Sequence, residues 1–101
     1  MTPKQREARV MRAIARMRKM FAKDGSWCQY QFDDGAGAHC LLGAVIAVAP
    51  LPLYNDMDRY LGDVLGEWSI SGWNDTPGRT IRDIRALLRR ATEDYEPRIV
   101  P

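Results

Sequence analysis

Cys28, His39 and Cys40 are the residues of this chain whose types could do covalent chemistry. A thiolate beside an imidazole makes a nucleophile and its base. His39 and Cys40 are neighbours in sequence, however, and on a strand they point to opposite faces. His39 and Cys28 could meet across a hairpin. A nucleophilic site also needs an orienting group and oxyanion donors. Structural cysteines and a solvent-facing histidine are therefore expected, and a cysteine-dependent enzyme is the weakest reading. The three residues lack the CxxC or HxxxH spacing of a metal site. Asp33-Asp34-Gly35 lacks the alternating carboxylates and closing Glu of a calcium loop, and reads as a turn. Cys28 and Cys40 could be bridged under oxidation; reduced thiols are expected in a cytoplasmic setting. No catalytic residue, cofactor or metal is expected, and the chain reads as non-enzymatic.

Recognition chemistry is better represented. Arg9, Arg12, Arg16, Lys19 and Lys23 recur at helical spacing in the N-terminal segment, and Arg82, Arg85 and Arg89 do so near the C-terminus. Clustered arginines can fork onto phosphates, so both ridges are candidate nucleic-acid contacts. No helix-turn-helix, zinc finger, RNP motif or KH loop accompanies them. Charge is unevenly placed: residues 1–24 sum to +6, residues 25–78 to −6 and the remainder to +2. The basic helix could face an external anionic partner, shield the acidic middle of its own chain, or meet the acidic middle of a second copy in a homodimer. Trp27, Trp68 and Trp73 are a large aromatic share for 101 residues. Most such residues build core; an exposed Trp68 or Trp73 beside Asp75 or Arg79 would be a partner-binding spot. Asp75 and Arg79 have the spacing of a local ion pair, and Asp75 could instead accept from backbone N–H groups at a helix start.

These residues belong to a chain of single-domain size, expected to fold over 1–101 with a modest core. An apolar fraction of 46% and a charged fraction of 28% exclude a disordered polyelectrolyte. Two cysteines are too few for a disulfide framework. The charged N-terminus is no signal peptide, and the apolar run from Cys40 to Leu51 is too short to span a bilayer.

The elements follow from caps and periodicity. Thr2-Pro3-Lys4-Gln5 reads as a capping box opening a basic amphipathic helix over 3–23, with Val10, Ile14, Met17 and Phe21 inward. Alternation of Cys28, Tyr30 and Phe32 suggests a strand, and a turn at 33–37 then makes a hairpin over 26–39. Residues 40–49 are apolar on every side and suit a central helix covered all round, with Gly43 admitting close approach of a backbone or a Trp. Pro50-Leu51-Pro52 ends that helix, and Asn55 caps a third over 56–65. Residues 68–72 read as a connector. Thr76-Pro77 opens a last helix over 77–92, and an extended tail follows at 95–101. The expected fold is α+β and mainly helical: four helices and a short β-hairpin around a central apolar helix.

Three segments resemble a known type of domain: Gly25-Ser26-Trp27-Cys28, then His39-Cys40-Leu41-Leu42-Gly43-Ala44, then Trp73-Asn74-Asp75-Thr76-Pro77-Gly78-Arg79-Thr80. In this order they are similar to small uncharacterised domains of bacteria and their phages with W-C, C-x-x-G-A and aromatic-N-D-x-P-x-R-T segments. The resemblance covers residues 25–92 and implies a shared fold, with no activity, cofactor or catalytic residue attached. With the missing catalytic chemistry, it leads to the expectation of a small cytoplasmic protein-interaction domain. Such a domain could be an accessory or anti-defence inhibitor of a phage or mobile element. A nucleic-acid-binding accessory is the alternative.

Overall fold

The computed structural model describes residues 2–93 as five helices. Helix α1 (Pro3–Phe21) opens on the capping box: Thr2 and Gln5 satisfy each other's backbone N–H groups. Its inner stripe is Val10, Ala13, Ile14, Met17 and Phe21, all buried. Helix α2 (Leu41–Val48) is followed by α3 (Leu51–Leu65), the short α4 (Ile70–Asn74) and α5 (Ile81–Glu93). The inner faces of the helices meet in one core, in which Ile14, Met17, Phe21, Leu61, Ile84 and Leu88 are among the fully buried side chains. The tail expected at 95–101 lies outside the described residues.

The expected β-hairpin is absent, and the α+β class is corrected to a helical one. Among the described residues there is no strand, only isolated bridges from His39 to Trp27 and to Asp33. The alternation at 28–32 is interrupted by Tyr30, whose φ of 67° turns the backbone left-handed. The segment's backbone groups are satisfied singly instead of by a ladder. Cys28 N–H donates to His39, His39 N–H to Ser26, and Cys40 N–H to Phe32, at 2.9–3.1 Å. A two-stranded hairpin would be marginal in any case; this loop gains more by lying on the helices.

Helix boundaries also depart from expectation. Residues 50–52 start α3 rather than separating two elements, because Pro is tolerated in the first helical turn. Asn55 therefore lies inside the helix. Ser69 caps α4 by accepting from Gly72 N–H at 3.1 Å, where a connector was expected. Pro77 does not open the last helix. Residues 76–79 form a turn with Gly78 at φ 87°, closed by Arg79 N–H on the Thr76 carbonyl. Pro at the second position and a left-handed Gly at the third are type II features. At the start of α5 the Asp83 carboxylate accepts from both the N–H and the hydroxyl of Thr80, and Asp83 N–H donates to the Thr80 carbonyl.

The central helix is not covered all round. One side of α2 carries the buried Leu41, Ala44 and Val45, while Ile46 is 50% exposed and Ala47 faces solvent. Near its start, the Phe32 backbone lies directly on Gly43. A Cβ at that glycine would stand 2.8 Å from the Phe32 carbonyl carbon and closer still to its oxygen.

Candidate functional site

Asn74 is the centre of the polar architecture. It ends α4, is fully buried, and uses both ends of its amide. Its Oδ1 accepts from Trp27 Nε1 at 2.6 Å and from Leu41 N–H, the first residue of α2, at 2.9 Å. Its Nδ2 donates to the Cys28 carbonyl at 3.2 Å and to Asp75 Oδ1 at 2.9 Å. Asp75 Oδ1 also accepts from Tyr30 N–H at 2.9 Å. Gln29 Nε2 bonds the carbonyls of Asn74 and Thr76. Buried amides are stabilising only when so satisfied, and these bonds fix the loop after α1 to the start of α2 and the end of α4. The sequence reading gives Asn74 no role of its own. A small amide between Trp and Asp was the available signal.

The other residues of that run act locally. Trp73 is half-buried and packs against the core. Arg79 does not pair with Asp75: its guanidinium lies 4.0 Å from the Trp73 ring centroid and its Nε donates to the Trp73 carbonyl. Trp68 is 100% exposed. The structure thus separates the four candidate partner-binding residues. Trp73, Asp75 and Arg79 form the clasp, and Trp68 stands apart in solvent.

Cys28 and His39 are joined through backbone. The Cys28 thiol donates to the Gln31 carbonyl at 3.6 Å, and burial, then the nearby Cys40 and the carboxylates of Asp34, Asp33 and Asp75, push it up. A raised thiol is the reverse of nucleophile activation. Cys40 caps α2, its sulfur accepting from Gly43 N–H at 3.2 Å. His39 Nδ1 is buried without a partner among the described residues. Asp33 and Asp34 accept N–H groups of their own loop, and the bonds from Ala38 and Ala36 hold the Asp34 carboxyl below its usual range. Among the described residues no three His, Cys, Asp or Glu side chains are grouped to hold a metal.

The basic residues divide into engaged and unengaged sets. Arg6 pairs with Asp56, the one ion pair from α1 to the acidic middle among the described residues. Arg85 ties the end of α1, donating to the Phe21 and Ala22 carbonyls and to Asp24. Arg90 donates to the Val64 carbonyl. Arg9, Arg12, Arg16 and Lys19 are exposed along α1, as are Lys23 just past its end and Arg82 and Arg89 on α5. Arg9, Arg12 and Arg16 border a groove of about 400 Å³ against Val48, Pro50 and Leu53. The notion that the basic helix shields the acidic middle is thus met, among the described residues of α1, by the Arg6–Asp56 pair.

Exposed apolar side chains form the remaining feature. Tyr30 is 71% exposed, Phe32 58% and Leu51 87%. Phe32 lies over Gly43, and Ile46 and Ala47 follow one turn later on that side of α2. No charged residue occurs from Gly35 to Asn55. Leu51, at the corner between α2 and α3, continues this uncharged stretch. Sequence reasoning reads Tyr30 and Phe32 as strand, Ile46 as core and Leu51 as part of a helix stop, because periodicity alone cannot tell a face turned to core from one turned to solvent.

No helix among the described residues is long and apolar enough to cross a membrane. No curated protein and no solved structure matches the chain. The profile of a family of unknown function, DUF6197, matches residues 4–94, and the chain belongs to that family.

Proposed function

We propose that this domain binds another protein through the open side of α2, with Phe32, Ile46 and Leu51 as its apolar contacts. The exposure of Ile46, on a helix otherwise built as core, carries this reading. Monomeric domains scatter single apolar residues over their surfaces, whereas an uncharged apolar face is the composition of an interface core. The partner it fits is a protein surface that is itself apolar and uncharged. Tyr30 adds support: a bulky side chain held at positive φ and exposed costs backbone energy without gaining burial. The thiol cap of α2 suits a reducing compartment such as the cytoplasm. Inhibition of a defence protein by a phage or mobile element is one form of such binding, suggested by the resemblance of the three segments.

Site-specific photo-crosslinking tests the reading. A benzophenone side chain at Ile46 in native host cells should capture a discrete protein that the same group at Arg59 on α3 does not. A second copy of this chain as the captured species would make the domain a homodimer. Identical products at both positions, or none at Ile46, would overturn the proposal.

A further inference from the structure

A second surface is independent of the α2 face. A groove of about 820 Å³ runs between the end of α1 and α5. Its apolar floor includes Phe21, Ala86 and Leu88, and Arg18, Arg82 and Arg89 border it. Arg85 and Asp83 also line it, but Arg85 is spent on the α1 carbonyls and Asp24, and Asp83 on the cap at Thr80. Arg18, Arg82 and Arg89 have no hydrogen-bond or ion-pair partner among the described residues. We infer that this groove binds the phosphodiester backbone of a nucleic acid, without reading its base sequence.

Spacing and charge lead to that ligand. Arg82 and Arg89 are seven residues apart, about 10 Å along the helix axis at 1.5 Å per residue. Cations at that interval can each take a different phosphate of one strand. A phosphate chain advancing about 3.4 Å per nucleotide along a duplex axis presents charges over that length. Guanidinium forks bind phosphate and carboxylate oxygens alike, so what favours the nucleic acid is its regular line of charges, and the polyglutamate comparison below separates it from an acidic peptide. Arg9 and Arg16 on α1 repeat the seven-residue interval, so both basic helices offer cations at one spacing. Among the described residues no exposed aromatic lines the groove, so it offers cations for the phosphate backbone and no stacking platform for bases.

Fluorescence anisotropy with labelled mixed-sequence duplex DNA, single-stranded DNA and single-stranded RNA tests the inference. Binding should occur in at least one arm at about 50 mM salt and weaken at least tenfold by about 200 mM. The double reversal Arg82→Glu/Arg89→Glu should cost about tenfold or more at low salt, and the charge-matched Lys4→Glu/Arg59→Glu much less. Thermal melts of both variants confirm that each is folded. Three results would each overturn the inference: no binding in any arm, equal losses in the two double variants, or polyglutamate of matched charge binding as tightly as the nucleic acids. Ile46→Lys should leave this binding in place, which separates it from the protein contact proposed above.

Discussion

Asn74 is neutral, small and invisible to any search for catalytic or charged groups, yet it joins three separate parts of the chain. Its value lies in geometry: one amide supplies an acceptor shared by an indole and a backbone N–H, and a donor shared by a carbonyl and a carboxylate. Asn74→Ala should lower the unfolding free energy by about 3 kcal/mol, because Leu41 N–H and the Cys28 carbonyl are left buried without partners. Asn74→Asp should cost at least as much, since a carboxylate would then face the Asp75 carboxylate and the Cys28 carbonyl. Urea unfolding measures both, and a loss under about 0.5 kcal/mol for the alanine variant would show that the bonds are replaceable. Part of this arrangement is legible: the sequence offers Asp75 either to Arg79 as an ion pair or to backbone N–H groups at a helix start, and it accepts a backbone N–H, though from Tyr30 rather than from a helix start. The identity of those donors was not legible, because Tyr30 is brought to Asp75 by the tertiary fold and not by local sequence.

Among the elements, α2 shows how packing overrides local preference. A glycine inside a helix is ordinarily about 1 kcal/mol worse than alanine. At Gly43 the sign reverses, because the added methyl would strike the Phe32 carbonyl. Gly43→Ala should therefore destabilise by about 1–3 kcal/mol, as overpacking does. At Gly72 in α4 a Cβ meets nothing nearer than the Ser69 side chain at 3.6 Å. Gly72→Ala should be neutral or stabilising by up to about 1 kcal/mol. Equilibrium unfolding of the pair checks both, and equal shifts would contradict the close approach. The close approach at Gly43 was readable from a glycine in an apolar run; the open face of the same helix was not. The shifted starts of α3 and α5 have a simpler cause. Proline is compatible with both a turn and a first helical turn, and only the neighbouring hydrogen bonds decide between them.

At the scale of the whole molecule, stability and recognition occupy different residues. Ile14 is fully buried between helices, and Ile14→Ala should cost about 2–5 kcal/mol. For a domain of this size that lowers the melting temperature by on the order of 10 °C or more. Ile46→Lys should move it by no more than about 3 °C, since half of that side chain already meets water. Thermal melts of the two variants distinguish a face held open from an undersized core; a comparable drop for Ile46→Lys would place that residue in the core. The charge asymmetry of the sequence survives in the fold for the same reason. The arginines that do structural work are tied to carbonyls, a ring or single carboxylates, and the rest remain outside. Asn74 has one more consequence. It grips the loop after α1 by the Trp27 indole, the Cys28 carbonyl and the Leu41 amide, and by no side chain between Gln31 and Gly37. The side chains of Gln31, Phe32 and Ala36 can be diversified while the two anchors and the turn held by Asp33 and Asp34 stay in place, so the domain offers a small thiol-containing scaffold on which those positions could be randomised and selected for new targets.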